Sequence, residues 1–389
     1  MIRTAFIGLS GYGSIIYRLC KKRVEAGEIK VVAAVIRSPS KVQEIIEDLR
    51  EMNCRIFSTS DEMFEIMKGQ LDLVCICTGI NTHASLTISA LDAGAHVMVE
   101  KPAAATVSDV DAMIEASKKA NRIVAVGFQD IYRPDIQSVK QRLLENEWGK
   151  IIEIKIVGRW PRPTSYYARN NWAGCIKIGN DLVYDSPANN ALAHFINLGL
   201  FMAGDRLKES AQVTQIEADL FRAYPIESFD TIVSRIQTKS GLKIYFSVSH
   251  ATNCHLEPIV TIHTENAQVI LENSRCWVGD HDGNLLEEIC QSGQDIGREN
   301  IFPMLLASIR GEDSVICSLS IARSHTAFIE QLHVNHEIQN FPPDMVYKET
   351  THNSTQLVVR NLDSLMDEAS KNGCLFSEMN LPWLNNEIK

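Results

Sequence analysis

Two stretches of this 389-residue sequence combine residue types that chemistry can use. Near the N-terminus, Gly8-Leu9-Ser10-Gly11-Tyr12-Gly13 follows a short apolar run and leads into a helical pattern. Glycines in such a turn let the backbone approach a pyrophosphate, and the helix N-terminus meets that charge with unpaired N–H groups and the positive end of its dipole. Ser10 stands at the middle glycine position of G-x-G-x-x-G, with Gly11 beside it. The competing reading is a turn that packs a strand on a helix and binds nothing. Farther on, Arg159-Trp160-Pro161-Arg162-Pro163 and Tyr166-Tyr167-Ala168-Arg169-Asn170-Asn171-Trp172 concentrate aromatic and hydrogen-bonding groups. Aromatic faces cover the C–H side of a pyranose, while Arg, Asn and Tyr donors read hydroxyls or a carboxylate. Arg159, Trp160, Tyr166, Tyr167, Arg169 and Trp172 are therefore candidate substrate contacts, against a surface loop pinned by its aromatics or an oligomer interface.

The elements that must position these groups follow from periodicity. Residues 4–7 and 30–36 read as buried strands flanking a helix with apolar positions at 15, 16, 19, 20 and 24. Further strands are expected at 71–78, 95–99 and 123–128, separated by helices at 83–93 and 107–120, the latter capped by Thr106 or Ser108. Such alternation is that of a doubly wound parallel domain. From residue 151 the pattern changes to long strand-like runs at 151–160, 212–224, 229–238, 242–250 and 258–272, with Lys239-Ser240-Gly241 as a hairpin turn. Helices near 186–203 and 320–334 interrupt or follow them. The expected fold is α/β: an N-terminal Rossmann domain over 1–128, then an α+β domain over 129–389 with a large open, mainly antiparallel sheet.

Composition narrows the function. Asp and Glu number 48 against 38 Lys and Arg, a formal charge of -10, which supplies no footprint for coating phosphates or anionic lipid. There is no run of eighteen apolar residues and no signal-peptide pattern at the start, so a cytoplasmic location is expected. The ten cysteines are scattered, without C-x-x-C or zinc spacing, and read as reduced thiols. His333-Val334-Asn335-His336 and Cys254-His255 lack a third ligand at metal spacing, so no metal is expected. Asn353-Ser354-Thr355 has the glycosylation pattern but no secretory route, and is taken as chance.

Glu100-Lys101-Pro102 at the end of a strand, after Thr78-Gly79-Ile80-Asn81-Thr82-His83 and Ala90-Leu91-Asp92-Ala93-Gly94-Ala95-His96-Val97, resembles the Gfo/Idh/MocA family of sugar and cyclitol oxidoreductases. Ser377-Glu378 with Pro382-Trp383 resembles the C-terminal signature of some members. The resemblance implies a dinucleotide-binding domain followed by a domain whose open sheet often forms an oligomer interface, hence a homodimer or homotetramer. It implies that Lys101 lies between nicotinamide and substrate and that a later Asp-x-x-x-His pair completes the site. Here that pair reads Asn190-x-x-x-His194. On the expected helix, i, i+4 spacing puts both on one face. Cofactor contacts are then expected from Gly8, Ser10, Gly11, Tyr12, Gly13, Thr78, Asn81, His83, Glu100, Lys101 and Gln129.

A neutral histidine has the proton affinity to take an alcohol proton near pH 7, and a lysine ammonium stabilises the forming alkoxide. His194 is the candidate base and Lys101 the candidate cation. Asn190 can hold a hydroxyl but cannot titrate. Asp185 is a second candidate for the missing carboxylate, against a role as helix cap shared with Ser186 ahead of Pro187. At the end of the second strand, where an acid would hold the adenosine ribose, stands Ile36, followed by Arg37 and Ser38. That pair suits a 2'-phosphate and favours NADP over NAD, although arginine there also stacks on adenine in NAD enzymes. The expected activity is NAD(P)-dependent hydride transfer to or from a secondary hydroxyl of a sugar, sugar acid or cyclitol. The alternatives are a dinucleotide-binding sensor or regulator on the same fold, and a glycosidase that oxidises its substrate transiently with NAD.

Overall fold

The computed structural model describes residues 1–291, 295–351 and 354–384, so Asn353 of the Asn-Ser-Thr pattern lies outside the described residues. The chain divides into two compact units, Met1–Arg133 with Asp295–Thr326, and Pro134–Gln294 with Ala327–Lys389.

In the first unit, β1 (Ile2–Ile7), β2 (Ile29–Val35), β3 (Arg55–Phe57), β4 (Leu73–Ile76), β5 (His96–Val99) and β6 (Val124–Val126) form one sheet in the order β3-β2-β1-β4-β5-β6. Every pairing in it is parallel. The crossovers are α1 (Tyr12–Glu25), α2 (Gln43–Glu51), α3 (Ser60–Ile66), α4 (Ile80–Asp92) and α5 (Val107–Ala120). Helices on both faces leave β4 and β6 buried throughout, which is why their sequences are unbroken apolar runs. Thr106 caps α5, its hydroxyl accepting from the Asp109 N–H at 3.2 Å. Strand β3 escapes sequence patterning because only Phe57 of its three residues is buried.

A cut by chain order at residue 128 assigns everything later to the second domain. The segment Asp295–Thr326 instead belongs to the first unit, where helix Ile296–Ile309 packs so closely that a Cβ on Gly297 would stand 2.4 Å from the Gln129 carbonyl oxygen. Such a return of the chain leaves no periodic mark.

The second unit holds a nine-stranded sheet. Its order is Leu285–Gln291, Arg275–Gly279, Gln268–Leu271, Leu256–Thr264, Ile151–Arg159, Lys243–Ser249, Thr231–Thr238, Val213–Arg222, Ile338–Asn340. Pairing is antiparallel except where Ile151–Arg159 meets Lys243–Ser249 and where Val213–Arg222 meets Ile338–Asn340. The run expected over 258–272 is two strands turning at 265–267, with Ala267 N–H returning to the Thr264 hydroxyl. The apolar helix Ala193–Met202 lies against the sheet. Gly199 permits that approach, since a Cβ there would stand 2.5 Å from Ile156. The helix ends on Lys140, fully buried, whose ammonium donates to the carbonyls of Phe201, Met202 and Gly204 that the last turn leaves unpaired. Toward the C-terminus, Trp383 packs on Phe221 and Glu378 forks onto Arg235, which anchors the Ser377-Glu378 and Pro382-Trp383 stretch to the sheet. No described helix is long and apolar enough to cross a membrane.

Candidate active site

In an open parallel sheet a ligand crevice forms at the carboxyl ends of the strands, where the order reverses; here that is between β1 and β4. The turn after β1 runs from Gly8 to Gly13. A Cβ on Gly8 would stand 2.3 Å from the Cys77 carbonyl oxygen after β4, and one on Gly13 would stand 2.1 Å from the Gly8 carbonyl oxygen. Neither has room for a side chain. Gly11, which like Gly8 has positive φ, differs in having open space around it, and it caps α1, whose first turn carries no acidic residue. Two glycines thus close the turn, and a third leaves the N-terminus of α1 bare for an anion. These residues fit a dinucleotide's pyrophosphate, with Ser10 exposed beside them.

Across the crevice, Thr78 packs its methyl toward Gly8 and pairs its hydroxyl with Thr82 at 2.7 Å, while Asn81 starts α4. His83 has another place than the one expected for it. It is buried, with Nδ1 2.8 Å from the Pro102 carbonyl and Nε2 3.2 Å from the Thr78 carbonyl. Burial holds its proton affinity below the usual histidine range, while the two carbonyls pull the other way. His83 therefore ties the turn after β4 to the Glu100-Lys101-Pro102 turn after β5 instead of facing a ligand.

Glu100 is buried beneath that turn, against Gly127, and accepts from the Lys101 N–H at 3.2 Å. Burial pushes its carboxyl up to about 7, opposed by the charge of Lys101. Tyr12 and Gln129, both expected cofactor contacts, share a partner that sequence patterning missed. Arg298 Nε donates to the Tyr12 hydroxyl at 3.1 Å and to Gln129 Oε1 at 2.7 Å. No motif surrounds Arg298, and it joins the turn only because the chain returns to this unit. Strand β2 ends at Val35; Ile36 is buried and Arg37 and Ser38 are exposed. A cleft of about 810 Å³ beside the glycine turn is lined by Ser10, Gly11, Ser14, Arg18 and Lys41 among others.

In the second unit, the helix expected from 186 begins only at Ala193. Residues 186–192 form successive turns, with Asn190 N–H bonded to Ser186 O and Leu192 N–H to Pro187 O. The Asn190 and His194 pair is therefore not an i, i+4 pair on one helix. Asn190 sits in the turn, and His194, half-buried, is in the first turn of the helix. Pro187 after a strained Tyr184, whose φ is 47°, favours this tight entry over a longer helix. Ser186 closes the first of these turns, its hydroxyl accepting from the Asn189 N–H at 3.2 Å, while the helix itself has Leu192 at its N-cap and no side-chain cap. Asp185 is thereby left for another role. It is buried, accepts from the Asn190 amide at 2.9 Å and from the Gly174 N–H at 2.7 Å, and lies 3.8 Å from Arg169. A carboxylate is thus hydrogen-bonded to the side chain at position 190.

The aromatic and arginine run divides. Arg159 is buried and spent on helix Leu362–Asn372, donating to Asp363 O at 2.9 Å and Asp367 at 2.8 Å, so it is a structural tie rather than a substrate contact. Trp160 meets Phe195 edge-on. Arg169 stacks 3.7 Å over the Tyr166 ring and 5.0 Å from Trp172. The Tyr167 hydroxyl pairs with His250 Nδ1 at 3.0 Å. Burial raises the Tyr166 phenol, as does Asp185, against the two nearby arginines. Arg162 and His250 belong to this cluster and were not among the expected contacts.

Residues 2–128 match the Gfo/Idh/MocA profile, described as an oxidoreductase family with an NAD-binding Rossmann fold. Over its first domain the chain is thus similar to the Gfo/Idh/MocA family. Matches include the myo-inositol 2-dehydrogenase of Thermotoga maritima, 30% identical over 168 residues, or 42% of this chain and 46% of that protein. The aligned part of the chain thus spans about half the length of that relative. Among solved structures, the WlbA dehydrogenase of Bordetella pertussis, in complex with NADH and UDP-GlcNAcA, superposes with a TM-score of 0.68 at 20% identity, over 85% of this chain and 95% of that one. A super-repressor mutant of Gal80p from Saccharomyces cerevisiae superposes with 0.69 at 14% identity, over 85% and 95%. These two likenesses concern the fold, and it is one fold over most of both chains.

Proposed function

We propose that this chain is a Gfo/Idh/MocA-type NAD(P)-dependent oxidoreductase that moves a hydride between the nicotinamide and a secondary hydroxyl, or the matching ketone, of a sugar, sugar acid or cyclitol. The observation that carries it is the crevice between β1 and β4, where Gly8 and Gly13 have no room for a Cβ and the bare start of α1 faces out, with Glu100-Lys101-Pro102 on the next strand. The bound nicotinamide supplies the hydride acceptor. Lys101 stabilises the negative charge that grows on the substrate oxygen, and His194 takes the hydroxyl proton. Asn190, its amide held by Asp185, presents its carbonyl oxygen to a substrate hydroxyl and fixes orientation without titrating. Trp160 and Trp172 offer apolar surface to the sugar ring, while the Tyr166 ring carries Arg162 and Arg169 beside it. An assembly through the open sheet, as homodimer or homotetramer, is tested by light scattering.

The test is turnover. Sugars, sugar acids and inositols are screened for reduction of free NAD and NADP by absorbance. Asn190 in place of aspartate, together with a fold shared with a repressor, favours a second reading, a dinucleotide-binding regulator. Tight cofactor binding with no turnover on any member of the screen selects it, and glycoside cleavage without net reduction selects the transient-oxidation glycosidase.

NADP is the expected cofactor. Ile36 brings no carboxylate to repel a 2'-phosphate, and Arg37 and Lys41 bring cations on either side of Ser38. Titration with both cofactors checks this: Arg37→Ala should weaken NADP about tenfold and leave NAD nearly unchanged. NAD binding tenfold tighter than NADP in the unmodified protein sinks the preference.

A further inference from the structure

The second unit contains a pair of cations with too few anions. Arg162 and Arg169 both stack on Tyr166, with guanidinium carbons 5.0 Å and 3.7 Å from the ring centroid, and Trp160 and Trp172 back them at 5.2 Å and 5.0 Å. His250 meets the same Tyr166 ring edge-on at 5.5 Å. Arg169 has Asp185 at 3.8 Å, but the Asp185 oxygens already accept from Asn190 and Gly174. Arg162 has no ion pair among the described residues. Only its backbone is bound, to His250 O and the Tyr224 hydroxyl.

Two buried nitrogens here have no hydrogen-bond partner among the described residues: Arg162 Nε and His250 Nε2, the latter on a side chain only 1% exposed. A buried polar nitrogen left without a partner is destabilising, so a ligand that completes both would recover that cost. The second carboxylate nearby, Asp230, is occupied: it accepts from the N–H groups of Ala223 and Tyr224 and from the Thr231 hydroxyl. Burial beside the two arginines keeps His250 neutral. In the tautomer in which the Tyr167 hydroxyl donates to Nδ1, Nε2 carries the proton and is a donor. The result is two guanidinium groups over aromatic rings and, in that tautomer, a neutral N–H donor. Planar forks match carboxylate and phosphate oxygens.

We propose that Arg162, Arg169 and His250 form a subsite for an anionic substituent of the substrate, so that the sugar carries a carboxylate or a phosphate. This rests on the oxidoreductase reading for its substrate but on separate residues for its binding. An uncharged sugar would leave the Arg162 charge without a counterion.

The experiment is calorimetric titration of the full chain, loaded with cofactor, using glucuronate, glucose 6-phosphate, inorganic phosphate and glucose at one ionic strength. At least one of the two charged sugars should bind tenfold or more tighter than glucose. Which one it is identifies carboxylate or phosphate, and inorganic phosphate matching glucose 6-phosphate identifies the phosphate group as the contact. Arg162→Met should weaken the preferred anion about 30-fold. Arg162→Lys keeps the stem and charge but loses the fork, so it should recover part of that loss and serves if the Met variant does not fold. Equal affinity for glucose and both charged sugars, or unchanged anion affinity in the Arg162 variants, overturns the subsite. Arg162-dependent anion binding without any cofactor reduction sinks the oxidoreductase reading and keeps the subsite. Turnover of a neutral sugar that is indifferent to Arg162 does the reverse.

Discussion

The glycine turn of the first unit and the arginine cluster of the second are built on opposite principles. From Gly8 to Gly13 the recognition surface is backbone, and the side chains matter by being absent: a Cβ at either end of the turn meets a carbonyl oxygen at 2.1–2.3 Å. Around Tyr166 the surface is all side chain, and its capacity lies in charges and donors that the fold leaves unmatched. A backbone site admits the one group that all members of a cofactor class share. A side-chain site varies by substitution without disturbing the sheet that carries it, so the proposed function puts substrate choice in the second unit and cofactor binding in the first.

Breaking the backbone site gives the largest expected effect. Gly13→Ala puts a methyl group into the Gly8 carbonyl, so the turn must open, and dinucleotide affinity should fall by about 1,000-fold or the domain should lose several degrees of thermal stability. Gly11→Ala is the control, costing only the strain of its positive φ. Equal cofactor titrations for Gly13→Ala and the unmodified protein would show that the turn does not hold the pyrophosphate. Next in size is the side-chain chemistry. His194→Ala should lower turnover by about 100-fold or more while cofactor affinity stays within twofold, since the base acts after binding. Wild-type turnover in that variant removes His194 from the mechanism.

The same contrast explains what the sequence revealed. The parallel sheet was legible because strands buried on both faces must be apolar and the glycine turn must sit between β1 and α1. β3 was not, having one buried residue, and neither was the return of Asp295–Thr326, which no local pattern encodes. In the site, Glu100-Lys101-Pro102 and the glycines stood out as motifs of fixed spacing. The Asn190 and His194 relation was misjudged because Pro187 and Tyr184 convert the expected helical turn into tight turns, and the role of Arg159 because its partners, Asp363 and Asp367, lie some two hundred residues away. His250 and Arg298 were missed for one reason: each acts through partners that only the tertiary fold supplies, whereas Arg162 stood in the aromatic run beside its own ring partners, Trp160 and Tyr166.

Glu100 sharpens the comparison inside the first unit, where one side chain beneath the backbone site titrates. Its carboxyl is raised to about 7 from an ordinary 4.5, so the folded state holds the proton more tightly than the unfolded chain does. The stability gained from that proton is present below about pH 4.5 and is lost as pH rises toward 7. Glu100→Gln, which cannot ionise, should therefore be more stable than the unmodified protein at pH 8 by on the order of 2 kcal/mol, with the gap closing toward pH 5. Denaturant titrations at the two pH values check it. A gap of equal size at both would mean that Glu100 is already charged at pH 5.

The smallest effect tests the second unit's own carboxylate. Asn190 donates its amide to Asp185 at 2.9 Å, so Asn190→Asp replaces a hydrogen bond with two carboxyl groups at that separation. Like charges so close cannot both ionise cheaply; the pair shares a proton, and one of its two apparent pKa values moves up toward neutrality. At pH 5 the shared proton restores an O–H···O bond in place of the amide contact, and stability should match the parent. As pH rises to 8 that proton is lost, the two anions repel with Arg169 at 3.8 Å offsetting them in part, and the variant should fall behind by about 1 kcal/mol. The pH profile of turnover should gain an ionisation over the same range, because the new negative charge in the turn before His194 favours the imidazolium. Stability and turnover profiles that run parallel to those of the parent from pH 5 to 8 would mean that position 190 does not face Asp185, and the carboxylate for this site would have to be sought elsewhere in the second unit.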